Sequence, residues 1–174
     1  MRRALFFCSS VKEIAPEYNE AARQIVRAAC ARGYEIVSGG TVKGTMGVVC
    51  DEAADCGASV CGVLPRFMEP LVHPRLTRTV WTDTMSERKE KMREGADVVV
   101  ALPGGIGTMD ELFETLVLSK LGRFGGTIAA LNIGGFYDPL ETLLDHFVQT
   151  NMLTAADKAR LHIVDSVAGL EELL

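Results

Sequence analysis

The sequence predicts a doubly wound, Rossmann-like α/β fold: a three-layer sandwich around a mainly parallel sheet. Three observations carry this expectation. Short continuous apolar runs recur along the chain, segments with helical periodicity separate them, and glycine-rich turns stand where apolar runs give way to helices. Strands alternating with helices call for a parallel sheet with helices on both faces. Strands buried on both faces read as continuous rather than alternating apolar runs.

The elements follow in order. "ALFFC" (4–8) is a short buried strand, and "APEYNEAARQIVRAACARG" then sets Tyr18, Ala22, Ile25, Val26 and Ala29 at helical spacing, with Pro16 near the start and Gly33 at the stop. The strand signal returns in "YEIVS" (34–38), "ASVCGVL" (58–64), "RTVWT" (78–82), "DVVVALP" (97–103) and "TIAALN" (127–132). Helices are predicted between them over 46–56, 85–95, 108–121 and 139–150, and "IVDSVAGLEELL" closes with a short strand and a terminal helix. No linker, repeat or low-complexity stretch interrupts the pattern, so residues 1–174 read as one domain.

Bulk properties narrow the function classes. At 174 residues and 48% hydrophobic, the chain can bury a sizeable core. Its net charge is −5 with the basic residues scattered, so neither nucleic acid nor an anionic membrane is the expected partner; a small solute is. The N-terminal apolar run is too short for a signal peptide, and no segment is long enough to span a membrane. Cys8, Cys30, Cys50, Cys56 and Cys61 form an odd set without a C-x-x-C pair, which fits reduced thiols. A cytoplasmic location is expected.

In an open parallel sheet, ligands sit beyond the carboxyl ends of the strands where the winding reverses. Two glycine-rich turns fit such a place: "SGGTVKGTMG" (38–47) after the second strand and "PGGIGT" (103–108) after the fifth. Glycine lets backbone approach a ligand with no Cβ in the way, and a helix start offers unpaired N–H groups to an anion. Gly104, Gly105, Gly107 and the Thr108 hydroxyl therefore read as a phosphate cradle. The turn after the first strand, "CSSVKE", lacks the dinucleotide G-x-G-x-x-G; no G-x-x-x-x-G-K-[ST] or G-x-S-x-G occurs; and His73, His146 and His162 have no partners at metal spacing. Neither a cofactor nor a metal is expected.

Asp110, Glu111 and Glu114 follow the cradle at once. Carboxylates in a first helical turn offset the helix dipole, and Asp110 and Glu114 are assigned that role. Glu111, one turn into the helix, is placed to reach sugar hydroxyls or a water beside the bound phosphate. Upstream, "DTMSERKEKM" (83–92) puts Arg88 and Lys89 in a helix that also begins beyond a strand end. Neighbours on a helix point different ways, so one of the two cations faces the cleft and the other its rim.

"PGGIGTMDE", "SGGTVKGTMG" and "MSERKEKM", in their order and spacing, resemble the P-G-G-x-G-T-x-x-E, G-G-x-x-x-G-x-M-G and M-x-x-R-K-x-x-M segments of the LONELY GUY (LOG) family of nucleoside 5′-monophosphate phosphoribohydrolases. The resemblance runs along nearly the whole chain. It implies hydrolysis of the N-glycosidic bond of a purine nucleotide, a cytokinin riboside 5′-monophosphate or AMP, by a homodimer that needs no metal. It also implies catalytic roles for Arg88 and Glu111 and nucleotide contacts from Met85, Lys89, Gly104, Gly105, Gly107, Thr108 and Asp110. The alternative is a non-catalytic nucleotide or molybdenum-cofactor carrier of related fold. The chain departs from the family at the first turn, where "CSS" replaces "CGSS", at Thr41, at Leu118 and Lys120, and at Glu69, one position from a frequent acidic residue. Similar sequences have been labelled lysine decarboxylases, but no lysine in the sequence is singled out for a pyridoxal phosphate Schiff base.

Overall fold

A computed structural model describes residues 1–174. Seven strands form a single sheet in which every pairing is parallel. They are β1 (Arg3–Phe7), β2 (Glu35–Ser38), β3 (Val60–Pro65), β4 (Arg78–Thr82), β5 (Val98–Ala101), β6 (Thr127–Leu131) and β7 (Leu161–Val164). The helices are α1 (Pro16–Ala31), α2 (Gly44–Asp55), α3 (Met85–Arg93), α4 (Ile106–Lys120), α5 (Asp138–Gln149), α6 (Ala155–Lys158) and α7 (Val167–Glu171). Short 3-10 turns follow β3 (Arg66–Leu71) and β6 (Ile133–Gly135).

The strand order is β4-β3-β2-β1-β5-β6-β7. The chain winds outward from β1 through β4, then returns to place β5 on the other side of β1, so the crevice between β1 and β5 is the topological switch point. Side chains alternate across the pleat. Ala4 and Phe6 of β1 enter a core of 22 buried residues with Ala22, Ile25, Val49 and Cys50 of α1 and α2. Leu5 and Phe7 face the other way, into a cluster with Val63, Met92 and Val99. A third cluster joins Leu112 of α4 to Ile128, Tyr137, Leu140 and Leu144. Helices thus cover both faces, giving the three layers expected.

α1 begins with Pro16, whose fixed φ and missing N–H suit a helix start, and the chain turns away at Gly33, where φ is +77°. α2 and α4 each begin two residues before the sequence signal, at Gly44 and Ile106, with a consequence for the acid cluster. The first turn of α4 holds no acidic residue, so Asp110 and Glu114 lie too far along to offset the dipole at its start. Their charges are balanced across the α3–α4 interface: Asp110 accepts from Lys89 Nζ at 2.9 Å, and Glu114 accepts from Arg93 Nη1 at 2.6 Å. The dipole role assigned from sequence is corrected accordingly.

Candidate active site

A cavity of about 340 Å³ opens at the carboxyl ends of the central strands, a size within the range of about 300–1,000 Å³ usual for small-molecule sites. Its walls come from the turn after β1 (Cys8 to Val11), the turn after β2 and the start of α2 (Thr41, Lys43, Met46), the turn after β3 (Met68, Leu71), Arg88 of α3, and Gly105 to Thr108 with Glu111 at the start of α4. A larger open groove of about 1010 Å³ lies between α3 and the residues entering β5 and β6, at the opposite ends of the strands. The more buried ion pair in its lining, Arg93–Glu114, has a partly exposed carboxylate, whereas both partners of Arg88–Glu111 in the smaller cavity are buried, which makes the smaller cavity the candidate chemical site.

The sequence builds this cavity locally. Thr84 caps α3 by accepting from the Glu87 N–H at 3.1 Å, while the Glu87 carboxylate accepts from the Asp83 N–H at 2.8 Å. One turn further, Arg88 is 5% exposed and lies over the strand ends. Its Nε donates to Val63 O at 2.9 Å, its Nη2 to Gly39 O at 3.4 Å, and its Nη1 to Glu111 Oε1 at 3.4 Å. Gly39 is required here for space: a Cβ would fall on the Arg88 guanidinium and within 2.7 Å of Met46 Sδ. Gly104 has a like role, because a Cβ there would fall on the Thr108 hydroxyl and within 2.7 Å of Thr108 Cβ. Tyr137, fully buried, donates its hydroxyl to Leu102 O at 2.7 Å and so anchors β5 where it enters the glycine turn.

Glu111 is 8% exposed, and burial pushes its carboxyl from the ordinary 4.5 up to about 7. Arg88 pulls the other way, and desolvation outweighs it. A carboxyl near neutrality can both take and return a proton at working pH, whereas the guanidinium beside it stays charged and acts by position and field. Burial likewise pushes the Cys8 thiol upward, with Glu111 adding to the effect, which makes Cys8 a wall of the site and a poor nucleophile.

Of the residues singled out from sequence, the cavity brings together Arg88, Glu111, Gly105, Gly107 and Thr108. Gly104 supports Thr108 from beneath. Lys89 and Asp110 pair with each other beside the site, and Met85 stands 44% exposed at the start of α3; none of these lines the cavity. Glu69 is exposed in the 3-10 turn and outside the lining, while its neighbours Met68 and Leu71 are in it. Sequence reasoning missed Cys8 and Ser9, with Ser10, Val11, Met68 and Leu71, whereas Thr41, Lys43 and Met46 belong to the glycine-rich turn 38–47 that it set at the ligand end of the sheet without naming those side chains as contacts. The position of β1 at the switch point is the signal for the first two, and it needs the strand order. No group of three or more His, Cys, Asp or Glu side chains is placed to hold a metal ion, and no helix is long and apolar enough to cross a membrane.

Comparison with known proteins places the chain among its relatives. The family model described as possible lysine decarboxylase matches residues 46–174. The cytokinin riboside 5′-monophosphate phosphoribohydrolase LOG2 of Arabidopsis thaliana is 32% identical over 175 residues, covering 99% of this chain and 81% of the relative. The enzyme LOG of Oryza sativa subsp. japonica, with the same descriptive name, is 33% identical over 99% of this chain and 72% of its own. Among solved structures, the molybdenum cofactor binding protein of Rippkaea orientalis superposes with a TM-score of 0.74 at 20% identity, covering 99% of this chain and 95% of that one, a likeness of fold. Identity above 30% along almost the whole chain, together with the three motifs converging on one cavity, establishes that the chain belongs to the LONELY GUY (LOG) family.

Proposed function

We propose that the chain hydrolyses the N-glycosidic bond of purine nucleoside 5′-monophosphates, AMP or its N6-substituted cytokinin relatives, releasing the free base and ribose 5-phosphate. The observation that carries this reading is the buried Arg88–Glu111 pair in a cavity that also includes Gly105, Gly107 and Thr108. The names of the relatives support the same chemistry.

Breaking the bond between C1′ and the purine nitrogen develops positive charge on the ribose ring, as in glycoside hydrolysis. The Glu111 carboxylate faces that charge and takes a proton from the attacking water. The water oxygen bonds to C1′ as the bond to the purine nitrogen breaks, and Glu111 returns the proton it took to the departing purine, which regenerates the carboxylate. Arg88, with its three nitrogens held by Val63, Gly39 and Glu111, fixes the carboxylate and stabilises electron density on the leaving base. Phosphate bound by the N–H groups at the start of α4 supplies binding energy remote from the reacting bond. Lys89 and Asp110 act at the rim by latching α3 to α4, with Met85 beside them. Val11, Met68, Leu71 and Ile106 give the cavity an apolar side suited to a purine and an N6 substituent.

A pyridoxal phosphate decarboxylase fits the site less well. Lys43 is the lysine in the lining, it stands exposed, and Glu111, already paired with Arg88, is the carboxylate there, leaving none to hold a pyridinium nitrogen. A molybdenum-cofactor carrier has no need of a buried carboxyl poised near neutrality.

We also infer a cytoplasmic homodimer. Val117 and Leu121 of the α4 segment are 54% and 64% exposed, beside an apolar groove of about 150 Å³ that includes Phe113, Leu144, Phe147 and Leu153. The function is tested by incubating the protein with a panel of nucleoside 5′-monophosphates and the matching nucleosides and measuring free base. Release from AMP or an N6-substituted AMP, with much slower release from adenosine, is the expected result; equal turnover of AMP and adenosine refutes the phosphate cradle.

A further inference from the structure

We propose that Lys43 is the counter-charge for the substrate's 5′-phosphate and sets the preference for phosphorylated over unphosphorylated nucleosides, a role that rests on the nucleotide reading of the cavity. The lysines, arginines and carboxylates in its lining are Lys43, Arg88 and Glu111. Arg88 and Glu111 are committed to each other, and the remaining guanidinium nitrogens donate to Val63 O and Gly39 O. Each guanidinium nitrogen of Arg88 thus already donates within the protein and its charge is paired with Glu111, so Arg88 is not a free counter-charge for the phosphate. The cradle itself, Pro103 to Met109, contains neither lysine nor arginine. A phosphate monoester near neutral pH carries between one and two negative charges, so backbone N–H groups alone would hold it without a neutralising cation. Lys43 is the charge left over: it is exposed, no carboxylate lies within ion-pair distance, and its flexible stem lets the ammonium reach across a cavity of about 340 Å³ that it shares with Gly105 to Thr108.

Its place in the chain points the same way. Lys43 is the N-cap of α2, a position favouring Ser, Thr, Asp or Asn, and its side chain makes no cap. The first turn of α2 has no acidic residue to offset a cation at the positive end of the helix. A lysine there breaks two local rules for helix stability without compensation from the protein, a pattern expected where function takes precedence.

The test is calorimetric binding of ribose 5-phosphate, AMP and adenosine to the wild type, Lys43→Met and Lys43→Arg. Lys43→Met keeps the stem and removes the charge. It is expected to weaken ribose 5-phosphate and AMP about tenfold or more, as loss of one charge-assisted contact does. Adenosine is expected to move less than about twofold and Lys43→Arg to recover binding to within about threefold of wild type. Equal weakening of all three ligands, or of none, overturns the assignment and returns Lys43 to a solvated surface charge. A wild type that binds AMP without releasing adenine defeats the hydrolase reading while the Lys43 comparison still reads out; a wild type that binds neither AMP nor ribose 5-phosphate overturns both.

Discussion

Replacing Glu111 by Gln separates charge from shape at the centre of the site. Burial raises the carboxyl from 4.5 to about 7, so holding it ionised in the empty cavity costs about 3 kcal/mol relative to water. A sugar ring becoming cationic beside it relieves that cost only as the transition state forms, which is the condition for an interaction to accelerate the reaction. Full relief is worth about two orders of magnitude in rate. Glu111→Gln keeps the volume and a hydrogen-bonding group for Arg88, so turnover should fall at least about a hundredfold while ribose 5-phosphate still binds. Asp110→Asn is the control. Asp110 is exposed, and Lys89 retains Glu114 at 3.3 Å when Asp110 loses its charge. An exposed ion pair is worth at most about 1 kcal/mol, so turnover should stay within about threefold of wild type. The assay is single-turnover release of base from AMP, with urea unfolding of each variant alongside. Near-normal turnover in Glu111→Gln, or equal loss in both variants, refutes the assignment.

Four further outcomes are expected. Because the Glu111 base must be ionised, kcat/KM should rise about tenfold per pH unit below about 7 and level off above it; the same carboxyl binds its proton more tightly folded than unfolded, so its contribution to stability is fullest below about 4.5 and is lost as pH rises through about 7, and a stability profile lacking that decline counts against the raised value. A Cβ on Gly105 meets no protein atom within 4 Å, so Gly105→Ala should fold with an unfolding midpoint near wild type yet bind AMP at least about tenfold more weakly; unchanged binding shows that no ligand approaches there. Tyr137→Phe leaves Leu102 O without its buried donor and should cost about 1–3 kcal/mol by urea unfolding, with no change meaning that the strand exit is held otherwise. Val117→Glu should turn a dimer into a monomer by light scattering at micromolar concentration, and a wild type already monomeric at that concentration refutes the dimer.

The sequence by itself determined the fold class and singled out the two residues proposed to react, Arg88 and Glu111. Apolar runs such as 98–101 can be buried on both faces only in a covered parallel sheet, and each is a local signal that needs no knowledge of its neighbours. Gly104, Gly105, Thr108, Arg88 and Glu111 were legible because their spacing forms motifs, and a motif is contiguous. The strand order was decided only by the tertiary structure. Pairing β1 with both β2 and β5 creates the switch point, and with it the contribution of Cys8 and Ser9 to a cavity walled by residues distant in the chain. Pairing of charges was likewise a tertiary outcome. Asp110 and Glu114 read as dipole partners within their own helix until α3 packed against α4 and brought Lys89 and Arg93 within hydrogen-bonding distance. The same packing removed water from Glu111 and raised its carboxyl, since desolvation depends on what surrounds a group on every side and not on its neighbours in sequence.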